Sequence, residues 1–575
     1  MGFNESVIDL YNTIQEEYTE NLEKNKLIKD FKCKYSIEDR IGEFYLKKSD
    51  QGKKERGRVY TPQYIASYIV KKYLNNLCFS ENRNIKICDP SCGTGNFIFE
   101  VIEQLINLFL TDESTESNCR KDIIKYILEN NIVGYDIDAV ALAILQIDVY
   151  EKYGYFITKI YNKDYLLNDK EKYDILIGNP PYIGHKSISK EYRKLLKEKY
   201  ENLLIDKGDI SYCFLYEAIQ NTHEKGKIIF ITSRYFMESL SGEKLRDELL
   251  KVDGHVQIID FYGLRPFKGV GIDPVIISID KEASEGSHIS VIKPKIIDGE
   301  VDKDFIKKLI IRNEIYREFT VDKERLRKSK WMLINESQQK IIDKINLKST
   351  KSIEEIADFY QGVITGCDKA FIIHNENKLK IEEYLLRRWI KNSHIQKGRI
   401  FNSDKALIYS NIINNEDIIE SNVIKHLRQF EDKLRKRREC INGVRKWYEL
   451  QWGRKREIFE GEKIIFPYKS GSNRFAVDHG SFFSADIYCI KFKCKELNYE
   501  RLCNLFNSKL YEFYMKCMCK KLGRDLYEYY PNSLKKIRVL NIFFENENIS
   551  DQKLYDYLSL NKEEIKIIEN SCKIH

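Results

Sequence analysis

Between Val59 and about Asp280 the chain alternates between two periodicities. Short apolar runs read as buried strands at 85–89 (IKICD), 131–136 (NIVGYD), 173–179 (YDILIGN), 227–232 (KIIFIT), 256–263 (VQIIDFYG) and 274–279 (PVIISI). Stretches at 64–76, 96–110 and 211–222 have a helical pattern instead. Strand alternating with helix predicts an α/β domain, placed at 56–285, on a mostly parallel sheet. Ahead of it, Val7, Tyr11, Ile14 and Tyr18 recur at helical spacing, which predicts a helical N-terminal extension over 1–55 ending in the polar loop 51–58. Residues 112–121 read as a surface insertion, and 286–350, charged and weakly patterned, as a connector. From Lys351 the alternation stops, and 351–575 reads as a second, α+β domain in which aromatic and basic residues cluster.

Composition narrows the function classes. Apolar residues make up 42% and charged residues 32%, enough core for several packed units and too apolar for bulk disorder. The 96 Lys and Arg against 88 Asp and Glu leave a net charge of +8, so any nucleic-acid surface is local. No apolar run approaches the roughly 18 residues of a membrane span. Asn4, Glu5, Asp9, Glu16 and Glu17 leave no apolar core for a signal peptide. The expectation is a cytoplasmic, nucleoid-associated prokaryotic protein with no membrane partner. The 14 cysteines include no CxxC pair, which argues against a disulfide framework and a structural zinc; no metal is expected.

Three motifs carry chemistry. Asp89-Pro90-Ser91-Cys92-Gly93-Thr94-Gly95-Asn96-Phe97 follows a predicted strand and opens a helix, so a ligand can approach its backbone closely. It lacks the third glycine of a dinucleotide fingerprint and the lysine of a P-loop; alone, it could be a simple strand–helix turn. Asp136 ends the next strand, where a carboxylate can accept both hydroxyls of a ribose or cap the following helix. It stands 41 residues beyond Gly95, further than the roughly 20 of a compact unit, and the 112–121 insertion absorbs the difference. Asp164, in NKDY, could accept an adenine amino group or be a solvated loop residue.

The third motif, Asn179-Pro180-Pro181-Tyr182, closes the strand YDILIG. A conjugated amine is a poor nucleophile because its lone pair is delocalised. An amide oxygen and a backbone carbonyl that both accept its N–H bonds localise that pair and aim it. Asn179 and the Pro180 carbonyl suit this task, the two prolines stiffen the backbone, and Tyr182 can stack on a planar base.

The order DPSCGTGNF, GYDID, NKDY, NPPY and a C-terminal domain resembles the gamma class of S-adenosylmethionine-dependent adenine-N6 DNA methyltransferases. Arg58-Val59-Tyr60-Thr61-Pro62 is similar to that class's extra motif, which contacts the methionine carboxylate. The resemblance implies a Rossmann-like methyltransferase domain with a mixed sheet and a C-terminal target-recognition domain. It implies a cofactor site in which Tyr60, Thr61, Asp89, Pro90, Gly93 and Gly95 face the methionine end. Asp136 would then face the ribose and Asp164 the adenine, with Ile137 and Phe214 sandwiching it and Asn179 bordering the site. Phe267 matches the position that packs on a flipped target base opposite Tyr182. NPPYIGHK, RYFMESLSGEKLR, YQGVITGCDKAFI, RKWYELQWGR and NRFAVD are further similar to the solitary CamA-type adenine methyltransferases of spore-forming anaerobes. That similarity implies a non-palindromic target of the CAAAAA type in double-stranded DNA, with S-adenosyl-L-homocysteine as product. One catalytic half and one recognition half suggest a monomer, and the sequence shows no PD…ExK constellation of an attached nuclease. Methylation of RNA or of a protein glutamine, and a catalytically silent DNA-binding subunit, are the alternatives.

Residues 433–456 hold ten Lys and Arg against two Asp and Glu, with Trp447, Tyr448 and Trp452 interleaved. Basic groups bind phosphates while aromatics and amides approach bases. Arg445, Lys446, Gln451, Arg454, Lys469, Asn473 and Arg474 are the expected DNA-facing group; Trp447 and Trp452 could equally be core residues.

Overall fold

The computed structural model describes residues 2–16, 20–50, 61–75, 77, 83–111, 119–168, 171–184, 187–200, 203–204, 208–267, 271–283, 286–297, 300–301, 304–311, 315–327, 330–374, 381–413, 421–524, 526–545 and 548–573. Tyr18, the 51–58 loop, Tyr60 and most of the 112–121 insertion lie outside the described residues. The chain divides into two compact units: Met1–Lys295 with Val301–Leu333, and Ile296–Glu300 with Ile334–His575.

The first unit opens with α1 (Phe3–Gln15), α2 (Asn21–Tyr35) and α3 (Ile41–Asp50). It continues α4 (Gln63–Leu74), β1 (Ile87–Asp89), α5 (Asn96–Thr111), α6 (Arg120–Asn130), β2 (Ile132–Asp136), α7 (Ala139–Tyr153), β3 (Lys159–Asn162) and β4 (Tyr173–Gly178). Then come α8 (Lys190–Lys199), α9 (Ile210–Asn221), β5 (Thr222–Ser233), β6 (His255–Asp260), β7 (Pro274–Asp280) and β8 (His288–Pro294). A nine-stranded sheet runs in the order Tyr316–Asp322, β8, β6, β7, β5, β4, β1, β2, β3. β3, β2, β1, β4 and β5 are mutually parallel, while β7 runs antiparallel to both β5 and β6, so the sheet is mixed.

Asp138 caps α7 by accepting the N–H groups of Val140 and Ala141. Every residue of α7 from Ala141 to Tyr150 is buried, including the hydrogen-bonded Gln146 and Asp148, so the helix has no solvent face there. Its outward face is covered by the N-terminal helices: Val7, Ile14, Ile28 and Ile41 share a core with Ala143, Ile144, Ile147 and Tyr150.

The connector reading of 286–350 is corrected. β8 and Tyr316–Asp322 pair antiparallel at one edge of the sheet, and Trp331 and Leu333 join the core of the first unit. The edge strand YREFTVD buries only Val321, so its apolar period is weak, as is usual for edge strands, which carry charge. β3 escaped the sequence pattern for the same reason, since none of its residues is fully buried.

The second unit holds a four-stranded antiparallel sheet ordered Ala357–Gln361, Ile487–Phe492, Lys463–Pro467, Ala476–Asp478. A second four-stranded sheet is ordered Ile372–His374, Lys405–Ile408, Leu386–Ile390, Phe482–Phe483. The main segment of this unit starts at Ile334 with the helix Glu336–Leu347, upstream of the expected boundary at 351, because Ile341, Ile342 and Ile345 belong to its core.

Candidate cofactor and catalytic site

β1 lies between β2 and β4, and the strand order reverses there. In an open α/β sheet, ligands bind outside the carboxyl ends of the strands at such a switch point. Asp89 ends β1, Asp136 ends β2 and Asn179 follows β4, so three residues far apart in sequence meet at one edge. A cavity of about 260 Å³ opens there. Of the expected cofactor residues, Thr61, Asp89, Pro90, Gly93 and Asp136 line it. Ile137, Asp164, Asn179 and Phe214 line it as well, whereas Gly95 does not.

The glycine turn is fixed by its own backbone. Gly93 and Gly95 adopt φ of +52° and +87°, the left-handed region that side chains disfavour. The Cys92 N–H donates to Tyr135 O at 2.9 Å and the Gly95 N–H to Cys92 O at 2.8 Å. A Cβ on Gly95 would stand 2.3 Å from Leu145 Cδ1, so this glycine lets α5 close on α7. Gly93 instead donates its N–H to Asp136 Oδ2 at 2.8 Å, and Asp138 donates its own to Asp136 Oδ1 at 2.8 Å. Asp136 is therefore a brace between two loops, and Asp138, not Asp136, is the helix cap.

Asp89 is buried, and its Oδ1 accepts the Ser91 N–H at 3.0 Å. Burial, with the Asp136 charge adding, pushes its carboxyl pKa up to about 8. A Cβ on Gly178 would lie 2.6 Å from Asp89 Oδ1, which explains a glycine at the end of β4. Asp164 accepts the Leu166 N–H at 2.8 Å and is hydrogen-bonded by the Tyr192 phenol, another cavity residue. Phe214 stacks on Tyr165 with ring centroids 5.8 Å apart, and Ile137 stands at the rim, 75% exposed.

Ser91 Oγ donates to the Asn179 carbonyl at 3.2 Å, tying the glycine turn to the NPPY segment. Tyr182 is buried, and its phenol donates to Asn179 Oδ1 at 2.5 Å and to Ile231 O at 3.1 Å. The expected stacking face of Tyr182 is thus enclosed rather than open. Phe267 is also buried, and neither ring nor Pro180 lines the cavity.

Tyr45 and Leu46 of α3 line the cavity too, which the sequence did not announce. The Tyr45 phenol donates to Asp138 Oδ2 at 3.1 Å. Buried Asp148 seats the start of α3 by accepting the N–H groups of Ile41 and Gly42, both at 2.9 Å. One signal was present: Gly42, where a Cβ would stand 2.9 Å from Thr94 Cβ.

In the second unit the expected DNA-facing group separates. Lys446 is exposed; Arg445 lies over Trp452 at 5.7 Å and Lys469 over Tyr468 at 4.9 Å. Gln451 donates to Glu439 Oε2, and Arg454 to Gly362 O and Gln361 Oε1. Arg474 is consumed by Ser470 Oγ, Ile395 O and Asn392 Oδ1. Asn473 is a correction: it is 1% exposed and donates to Phe506 O at 2.6 Å, so it braces the core and presents nothing to DNA. Trp447 packs on the core, while Trp452 is exposed. Among the described residues no three His, Cys, Asp or Glu side chains form a metal-binding group, and no helix is long and apolar enough to cross a membrane.

Residues 106–267 match the family model of the Eco57I restriction-modification methylase, and residues 374–539 that of the TaqI-like C-terminal specificity domain. The chain is similar to Type II methyltransferase M.BstVI of Geobacillus stearothermophilus, at 23% identity over 90% of this chain and 98% of that protein. It is similar to Type II methyltransferase M.BanIII of Aneurinibacillus aneurinilyticus, at 23% identity over 77% and 80% of the two chains. Among solved structures, the Type IIL restriction-modification enzyme MmeI in complex with DNA superposes with a TM-score of 0.55 at 14% identity, covering 88% of this chain and 72% of that one. The fold is an α/β methyltransferase-type domain with a mixed sheet, followed by a TaqI-like specificity domain.

Proposed function

We propose that this chain is a DNA methyltransferase that acts on N6 of an adenine in double-stranded DNA, using S-adenosyl-L-methionine, at a non-palindromic A-rich site. The observation that carries the reading is the position of Asn179-Pro180-Pro181-Tyr182, directly after β4 at the sheet's switch point, with Asn179 on the wall of the cavity. Similarity to Type II methyltransferases along most of the chain supports it. The resemblance of its motif strings to solitary adenine methyltransferases supports the A-rich site, and one catalytic half with one recognition half supports a monomer.

The cavity suits the cofactor chemically. Asp89 offers a buried carboxyl whose ionised form a cofactor ammonium group would favour, both Asp136 oxygens are oriented by backbone N–H groups, and Phe214 offers an aromatic face. Thr61, Pro90 and Gly93 complete the methionine end, with Asp164 and Ile137 at the adenine end. When bound, S-adenosyl-L-methionine supplies an electrophilic methyl group. The chain's own task is to prepare the nucleophile. Asn179 Oδ1 and the Pro180 carbonyl accept the two N6 hydrogens of an extrahelical adenine and localise its lone pair. Tyr182 holds the Asn179 amide through its phenol as the base enters. No side chain is needed as a dedicated base, because the product ammonium is acidic enough to lose its proton to solvent.

Single-molecule sequencing of DNA methylated by the purified protein tests the reading. Methyladenine on one strand of one A-rich motif is expected, and none with Asn179→Ala. Transfer to RNA or protein but not DNA would overturn it.

A further inference from the structure

Ile441 and Val444 are 70% and 56% exposed, on either side of Asn442 and Gly443. The turn that carries them is held rigidly. Gly443 sits at φ +70° and donates its N–H to Cys440 O at 3.0 Å. Val444 and Arg445 both donate to Glu439 O, at 2.9 and 3.0 Å. Behind it, the Arg437 guanidinium donates to the carbonyls of Leu434, Thr365, Trp447 and Glu449. Two apolar side chains are therefore presented to water on a preformed scaffold, so ordering them on contact costs little entropy.

Single exposed apolar residues are ordinary. This pair is distinguished by its surroundings. The short helix Arg438–Ile441 that leads into the turn buries none of its residues, so internal packing does not account for them. Lys433, Arg435, Lys436, Arg438 and Lys446 around them are exposed, within the segment of ten basic and two acidic residues. Such charge selects a polyanion. On duplex DNA the phosphates would satisfy the cations, and the apolar tips need an apolar surface, which the duplex offers between its base pairs.

We propose that the turn Cys440–Arg445 is a wedge whose Ile441 and Val444 enter the DNA base stack, as apolar side chains of architectural DNA-binding proteins do. The proposal rests on the reading of the chain as a DNA methyltransferase and adds how the specificity domain deforms its target.

The test is the double variant Ile441→Ser/Val444→Ser in the full-length protein. Both positions are exposed, so melting temperature and cofactor affinity are expected to stay at wild-type values. Its Kd for duplex carrying the methylated motif should rise about tenfold or more, the equivalent of one buried aliphatic side chain. The slope of log K against log salt should not change, because every phosphate partner is still in place. With 2-aminopurine scanned through the motif, wild type should brighten at a step other than the target adenine, and the double variant should not. Wild-type affinity and fluorescence in the variant would overturn the wedge. So would an equal loss of affinity when thymines are replaced by uracil in the wild-type complex, which would make the contact one with groove methyls. A changed oligomeric state by light scattering would assign the tips to a second copy and equally overturn it. A wild type that methylates no DNA would overturn the parent reading instead.

Discussion

Tyr182 donates its phenolic O–H to Oδ1 of Asn179 at 2.5 Å, with the carbonyl of Ile231 in β5 as a longer second acceptor at 3.1 Å. This bond orients the Asn179 amide, whose oxygen can accept more than one hydrogen bond. Burial raises the phenol pKa well above its ordinary value, so it stays a donor across the working pH range. Tyr182→Phe keeps the ring and deletes the bond. Turnover should fall several-fold to about tenfold, the worth of one hydrogen bond of ~1 kcal/mol, with KM for DNA nearly unchanged. Single-turnover kinetics beside Tyr182→Ala separate this from a stacking effect: an unchanged rate in Tyr182→Phe would remove the orienting role.

Asp136 holds Gly93 and Asp138 through one carboxylate oxygen each. Asp136→Ala should therefore weaken cofactor binding by more than a ribose contact alone, at least tenfold, from about 1.5–3 kcal/mol for hydrogen bonds to a charged group. DNA affinity measured without cofactor should stay put. Calorimetry that finds wild-type cofactor affinity would take Asp136 out of the site.

Asp89 predicts a pH effect. Its folded-state pKa of about 8 lies far above the unfolded value of 3.8 because burial disfavours the charge. The folded form then holds a proton that the unfolded chain has released, so this group's contribution to stability falls as pH rises through that window and levels off above about 8. Asp89→Asn mimics the neutral carboxyl. Without cofactor, its melting temperature should gain on wild type progressively from pH 5 to pH 8. Parallel curves over that range would mean that Asp89 is already ionised.

Gly93 and Gly95 share a left-handed backbone but differ in the space around them. Gly95→Ala drives a methyl to within 2.3 Å of Leu145, adding an overpacking cost of about 1–3 kcal/mol to a backbone cost of about 1–2 kcal/mol. Gly93→Ala meets nothing closer than 4.0 Å and carries the backbone cost alone. Urea unfolding should rank Gly95→Ala well below Gly93→Ala; equal midpoints would contradict the packing account.

What could be read from the sequence follows from where side chains end up. β1, β2, β4 and β7 are buried almost throughout, so they appear as apolar runs. β3 and the strand Tyr316–Asp322 lie at the two edges of the sheet, half solvated, and leave no such trace. Asp89, Asp136 and Asn179 were recognisable because each ends or follows a strand whose apolar run stands out; Asp164 stood out only through the string NKDY, since the strand before it leaves no trace. Tyr45 and Leu46 were not, because only tertiary packing of α3 on α7 carries them to the cavity. Asn473 misled by residue type: a polar amide in a basic stretch suggests a surface, yet it serves the Phe506 carbonyl inside the core.

Arg445 and Lys446, unlike Arg474, are placed where a phosphate can reach them: Lys446 is exposed and the Arg445 guanidinium lies over the exposed Trp452. Removing one cation–phosphate pair flattens the slope of log K against log salt by roughly 0.9. Arg445→Gln/Lys446→Gln should therefore weaken DNA binding at low salt, converge on wild type as salt rises, and leave cofactor affinity and melting temperature unchanged. Arg474→Gln should behave in the opposite way. It breaks three internal hydrogen bonds, to Ser470, Ile395 and Asn392, so it should lower the melting temperature while any folded fraction keeps the wild-type salt slope. A flattened slope in Arg474→Gln with wild-type stability would reverse the two assignments and return Arg474 to the DNA surface.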